Sequence, residues 1–447
     1  MNRKTGFLLI IAAILVVSTL TYFYPSRKPE EEGTPPESQQ PEKEAPLLWT
    51  ELLQNFVPQY FEGTLFCVSG NEIKAFDGGT GALKWSASTE SLIVSSDYTD
   101  NTFLIAEQGL VVAFNAQTGE EKWERSLGEG EYCSRTGKYL VAENGIVYVG
   151  TPTPSVYCLE AKDGTVVWDY SEGLETCPQF KIIGDRLLVH SMKVVCLKKK
   201  TGEYLWEFSD YSPGALYYEG VMLLNAVDKT GHFFYALVDE ETGEVLWQES
   251  SFGIPDLGYK NGLLYLNKAR RLKRFDIHDV KSGYTWQYEH GKEVATWTEA
   301  DKGIVILLYN QEGTDYSLDS LVSINNEGSV VWEHQYEGIE WNPAYKAHLE
   351  VLKDEILVLR EGGYIEAFSK DGVKKWETRI QETSDHVMVQ GDTVLITAQD
   401  GIYCLNTRGF LLWEYHTGVE KDSLDIFEVN DGRIFVAGTQ GIYVFSL

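Results

Sequence analysis

Ala75-Phe76-Asp77-Gly78-Gly79-Thr80-Gly81-Ala82-Leu83-Lys84-Trp85 reads as the end of one strand, a tight turn and the start of the next. Asp77 and Thr80 are side chains that bond turn amides. Gly81 supplies a backbone conformation that a β-carbon would strain. Trp85 brings a large flat surface that needs a neighbour and a ring N–H that needs an acceptor. The pattern recurs at Ala113-Phe114-Asn115-Ala116-Gln117-Thr118-Gly119-Glu120-Glu121-Lys122-Trp123, with Asn in place of Asp.

Further copies follow along the chain, ending at Trp168, Trp206, Trp247, Trp286, Trp332, Trp376 and Trp413. Successive Trp residues from Trp85 are 38, 45, 38, 41, 39, 46, 44 and 37 residues apart. A period near forty means a propeller or a solenoid. Each copy is preceded by a hairpin of two apolar strands, as in TVLITAQDGIYCLN at 393–406. Four short strands per repeat and two- to five-residue turns predict a propeller blade. The fold class is therefore all-β, a single β-propeller of four-stranded blades.

The two ends predict ring closure. The chain stops at Leu447 just after a third strand, and the orphan segment PLLWTEL at 46–52 carries Trp49, 36 residues before Trp85. Residues 47–52 are expected to complete the last blade and remove its free edge. The count becomes ten blades, with an eight-bladed ring and irregular extra repeats as the alternative. The expected docking residues are Trp49, Trp85, Trp123, Trp168, Trp206, Trp247, Trp286, Trp332, Trp376 and Trp413.

The turn resembles the tryptophan-docking motif A-x-D-x-x-T-G-x-x-x-W of the pyrroloquinoline-quinone-like propeller repeat. The resemblance covers about nine-tenths of the chain, from residue 46 to 447. That family includes quinoprotein alcohol dehydrogenases and the propeller subunit of the bacterial outer-membrane-protein assembly machine. It implies that each Trp ring packs on the next blade. Several copies depart from the pattern. Cys158, Cys196 and Cys404 replace the first Ala, the copy at Ala236 has an inserted residue, and the copy ending at Trp286 has lost the spacing. The turns before Gly328, Gly372 and Gly409 are one residue shorter.

The resemblance does not carry the dehydrogenase chemistry with it. Those enzymes place two adjacent cysteines beside the quinone, and no Cys-Cys pair occurs here. There is no G-x-S-x-G elbow and no H-E-x-x-H. No catalytic, metal or cofactor-binding residue is assigned; calcium and quinone stay open. The eight histidines are scattered, and His290, His334 and His416 follow a motif Trp on outer strands.

Residues 1–5 form a short cytoplasmic start in this reading, and residues 6–24 an apolar run of 19 residues without a charge. That is close to the length that spans a bilayer. Arg3 and Lys4 before it favour an N-in, single-pass signal anchor with the propeller on the extracytoplasmic side. Residues 25–45 read as a disordered acidic and Pro-rich stalk, and 46–447 as the propeller. Cys133 and Cys177 fall in first strands of adjacent repeats and form a candidate disulfide for that compartment.

The net charge is -29, with 67 acidic and 38 basic residues. Phosphate backbones are repelled, so nucleic acid is not the expected partner. Against this background NKARRLKR puts Lys268, Arg270, Arg271, Lys273 and Arg274 into one hairpin. With Trp341 and Tyr345, aromatics outside the motif, they are the candidate partner contacts. The long hairpin NQEGTDYSLDS at 310–320 also breaks the repeat. The expectation is a monomeric, non-catalytic scaffold that binds a protein partner at the cell envelope. The alternatives are a quinoprotein-like oxidoreductase and an extracytoplasmic ligand sensor.

Overall fold

The computed structural model of the protein describes residues 44–447 except 129, 131–137, 219, 251–255, 261, 269, 302, 343–346, 381–383, 400 and 420–423. The apolar segment 6–24, nearly all of the stalk, and Cys133 lie outside the described residues. Among the described residues no helix is long and apolar enough to cross a membrane.

The described strands form ten four-stranded antiparallel sheets. Blade 1 spans 57–88, blade 2 95–126, blade 3 140–170, blade 4 179–208 and blade 5 211–250. Blade 6 spans 256–289, blade 7 293–335, blade 8 348–379 and blade 9 384–416. Blade 10 joins 425–446 to the strand Leu47–Leu52. Trp49 pairs with Val444 and Leu52 with Gly441, so the N-terminal strand closes the ring. The eight-bladed alternative is set aside: among the described residues every repeat forms a four-stranded sheet.

In most blades the second and third strands are the most buried, and the fourth alternates between its two faces. In seven blades the motif Trp pairs opposite a small residue next to a β-bulge. The pairs include Ala75 with Trp85, Cys158 with Trp168, Ser323 with Trp332 and Cys404 with Trp413. In these seven the position is Ala, Ser or Cys, which is where the buried Cys158, Cys196 and Cys404 fall; at the same bulge blade 5 carries Leu237 opposite Trp247.

The Trp rings join blade to blade. Trp49 donates its Nε1 hydrogen to the Gly78 carbonyl, Trp85 to Ala116, Trp123 to Ala161, Trp168 to Lys199, Trp206 to Glu241 and Trp332 to Lys370, over 2.7 to 3.3 Å. Eight turn glycines lie so close to the preceding blade's ring that a Cβ would come within 2.5 to 3.0 Å of it. They are Gly81, Gly119, Gly164, Gly202, Gly243, Gly328, Gly372 and Gly409, all at φ between 70° and 83°. Trp247 and Trp413 dock differently. Trp413 stacks on Phe445 at 5.4 Å, because the turn that would cover it is split by the chain ends. Trp247 meets Phe275 at 4.8 Å.

The first strands meet across blades through side chains as well. In blade 2, Ser95, Asp97 and Thr99 accept from the Leu140, Ala142 and Gly145 amides of blade 3. The turns sort onto two faces. The turns after strands 1 and 3 lie together, as the Gly78 amide bonding the Gly63 carbonyl shows. The turn after strand 2 lies with the links between blades, as the Leu127 amide bonding the Gly109 carbonyl shows.

Candidate functional site

The basic hairpin of blade 6 runs from the strand Leu263–Lys268 into Arg271–Asp276, with Lys268 paired opposite Arg271. Arg270 occupies the turn at φ 62°. Its Nε donates to Glu293 Oε1 at 2.9 Å and its Nη1 to the Gly291 carbonyl at 3.3 Å. Arg271 Nε lies 3.1 Å from Glu289 Oε1. The side chains of Arg270 and Arg271 remain 50% and 56% exposed, so both can meet a partner as they stand.

Lys273 and Arg274 are placed otherwise. The third strand carries alternate side chains to opposite faces of the blade. Lys273 therefore faces blade 5, where its Nζ lies 2.5 Å from Glu249 and 5.3 Å from the Tyr284 ring centre. Its side chain is 15% exposed. Arg274 faces blade 7. It stands opposite Trp286, holds the Asn326 carbonyl at 2.8 Å and covers the Trp286 ring at 5.8 Å. The spacing lost before Trp286 is matched by this substitution of a long cation for the small bulge residue.

The long hairpin of blade 7 folds back on the link to blade 8. Ser317 bridges Glu340, Leu318 N bonds Ile339 O and Trp341 N bonds Tyr316 O at 3.0 Å. This covering puts Trp341 in the core, 5% exposed, among Leu318, Tyr336 and Leu349. It is not a surface contact in this structure. Tyr345 lies outside the described residues. Asp319 anchors the base of the hairpin. Burial pushes its carboxyl up, but Lys292, Ser320 and Asn310 outweigh this and hold it below the usual carboxylate range.

Blade 8 buries an ionic cluster that the sequence reading missed. Glu366 is 1% exposed and accepts from Tyr336 Oη at 2.8 Å, Lys374 Nζ at 2.8 Å and Arg360 Nη2 at 3.4 Å. Burial pushes the Glu366 carboxyl up, yet Arg360, Lys374 and Tyr336 together hold it low. Arg360 lies over the Tyr364 ring at 4.0 Å, and Arg379 over the same ring at 4.8 Å. The only sequence signal was an acid inside IEAF, where sister copies have Val, Tyr, Ala or Lys.

The histidines are dispersed. His290 and His334 are held below the ordinary imidazole range by burial. His386 Nδ1 lies 3.6 Å from Asp425, on first strands of blades 9 and 10. Among the described residues no group of three or more His, Cys, Asp or Glu is placed to hold a metal. Cys177 is buried.

The family profile described as outer membrane protein assembly factor BamB matches residues 42–137 and 107–180. One stretch is 39% identical over 75 residues to BamB of Escherichia coli strain K12, covering 15% of this chain and 19% of that protein. A second is 30% identical over 103 residues to tetrathionate hydrolase of Acidithiobacillus ferrooxidans, covering 23% of this chain and 20% of that protein. The matches thus span about a fifth of the length of these curated relatives. Among solved structures, BamB from Moraxella catarrhalis aligns over 90% of this chain and 99% of its own at 14% identity and a TM-score of 0.42. Quinohemoprotein alcohol dehydrogenase from Comamonas testosteroni aligns over 90% and 76% at 13% identity and a TM-score of 0.42. Residues 42–180 match that family profile, and the described blades beyond them repeat the same four-stranded, Trp-bearing unit.

Proposed function

We propose that the protein is a membrane-anchored, extracytoplasmic scaffold that binds a protein partner and carries out no chemistry of its own. The match of residues 42–180 to an outer membrane protein assembly factor supports this reading. So does the hairpin tip of blade 6, where Arg270 and Arg271 are half exposed on an acidic molecule. In this reading residues 6–24 hold the chain in the membrane and the stalk sets the propeller off its surface. The two arginines meet an acidic patch on the partner, and Lys273 and Arg274 brace the hairpin from behind.

The test is photo-crosslinking of the full chain in its native envelope, with the crosslinker at Lys268 beside the two arginines. One reproducible partner, lost on reversing Arg270 and Arg271 to Glu, is the expected result. Retention of the same partner by the reversed protein removes the hairpin from the contact.

A second reading, an enzyme in place of a scaffold, is favoured by the stretch that is 30% identical to tetrathionate hydrolase. A visible absorbance band in the purified native protein, with no crosslinked partner, would move the assignment there.

A further inference from the structure

The junction of blades 5 and 6 departs from its sisters. Eight other junctions lay a turn glycine against the preceding Trp. Here the chain after Asp276 winds into a 3-10 helix, Ile277–Ser282. Gly283 has no atom within 4 Å of where its Cβ would stand. Val280 takes the glycine's place in the cluster that holds Trp247, and it is 2% exposed. A helical turn is bulkier than the turn it replaces, so it stands off from the facing turns of blade 5. A cleft of about 450 Å³ opens between them.

The floor of this cleft is apolar, formed by Val221, Leu246 and Val280. Its walls carry the carboxylates of Asp239, Glu244 and Asp279 against one ammonium, that of Lys281. Lys281 Nζ lies 2.8 Å from Glu244 Oε2, with both side chains about 60% exposed (60% and 59%). The protein's own lysine thus already occupies the acidic wall with a cation. Asp239 Oδ1 is taken by the Glu241 and Thr242 amides of its turn. Asp279 Oδ1 accepts from the Ser282 hydroxyl at 2.8 Å and Glu244 from Lys281, against three donors on Asp239 Oδ1, so Glu244 and Asp279 are the less engaged carboxylates that an incoming cation would meet.

We propose that this cleft binds a basic side chain, lysine or arginine, of a partner polypeptide. Its aliphatic stem would lie on Val221, Leu246 and Val280, and its charge would reach Glu244 and Asp279 in place of Lys281. Long basic side chains divide themselves between apolar and charged surface in this way, and a guanidinium pairs well with carboxylates. The inference rests on the scaffold reading but uses the other face of the ring. The cleft lies among the turns after strands 1 and 3, whereas Arg270 and Arg271 sit at a turn after strand 2.

The experiment is titration calorimetry of the full chain at low salt with two capped peptides, Gly-Leu-Arg-Leu-Gly and Gly-Leu-Glu-Leu-Gly. The arginine peptide is expected to bind and the glutamate peptide not. Glu244→Gln with Asp279→Asn should weaken binding about tenfold or more, the scale of a lost charged pair. Lys281→Gln should tighten it a few-fold by removing the internal competitor. The affected positions are on the surface, so circular dichroism should stay unchanged. Absence of binding, equal binding of both peptides, or indifference to Glu244→Gln with Asp279→Asn overturns the proposal. Crosslinking that still depends on Arg270 and Arg271 while the peptide fails would sink the cleft and leave the scaffold reading standing.

Discussion

The ring nitrogen of Trp85 donates to the Ala116 carbonyl at 2.9 Å, while Cδ2 of the same ring lies 2.6 Å from where a Cβ on Gly119 would stand. One turn therefore both receives the indole hydrogen and lies flat under the indole face. Gly119→Ala must strain a backbone at φ 72° and push the ring away. The first effect costs about 1–2 kcal/mol, and overpacking adds about 1–3 kcal/mol. Gly184→Ala, at φ 57°, strains the backbone alone, since nothing stands near its Cβ. Urea unfolding should show Gly119→Ala as clearly the more damaging of the two. Equal losses would mean that the close approach to Trp85 contributes nothing.

Glu366 sets a pH dependence. Its carboxyl is held below the ordinary range although burial opposes this, because Arg360, Lys374 and Tyr336 all favour the charged form. A depressed folded-state value contributes stability above the unfolded pKa, about 4.3. That contribution is lost as pH falls through the lower folded value. Glu366→Gln leaves two cations facing a neutral amide and should cost roughly 3 kcal/mol at pH 7. The gap between wild type and variant should narrow below about pH 4. A gap that stays constant from pH 7 to pH 3 would show that the charge is not what matters.

Much of this fold is legible in the chain because each blade repeats one local grammar. The shortened turns before Gly328, Gly372 and Gly409 are visible as spacing. They fold as shorter loops, with Gly328 N bonding Asn325 O three residues back. In the longer turns Gly81 N bonds Asp77 O four back. The small residue opposite the Trp in seven of the blades is visible as Ala, Ser or Cys. What was not legible depends on neighbours distant in sequence. Lys273 and Arg274 looked like surface charge, but Glu249 and Asn326 arrive from the blades on either side. Trp341 looked like a candidate contact until the long hairpin folded over it. The 3-10 helix after Asp276 showed only as a lost spacing, which says that the turn has changed and not what replaced it.

Ring closure should fail locally. Trp49 is the one docking residue on the N-terminal strand. It donates to Gly78 at 3.3 Å, and Gly81 lies under its ring. Blades interact with nearest neighbours, so a defect spreads little beyond the adjoining blades. Trp49→Ala should speed hydrogen exchange in Leu47–Leu52, Gly441–Ser446 and blade 1, with blades 4 and 5 unchanged. Uniform acceleration around the ring would instead show that closure stabilises every blade together.

Gly258 and Trp297 should prove tightly coupled. They sit on the first strands of blades 6 and 7, and a Cβ on Gly258 would fall 1.3 Å from Cζ2 of the Trp297 ring. Trp297 also lies 5.5 Å from the Tyr265 ring. The glycine is thus the space the indole occupies. No rotation of a neighbour can relieve an overlap this deep, so Gly258→Ala must expel the ring. The loss should reach the range of a large aromatic truncation, about 3–5 kcal/mol. Trp297→Leu alone removes aromatic area and leaves a gap. In the double variant the new methyl group partly fills that gap, so the two losses should fall short of additivity by 1 kcal/mol or more, roughly the scale for residues in contact. Strict additivity in urea unfolding would mean that the ring leaves the glycine without cost, and that the two blades are not locked at this point.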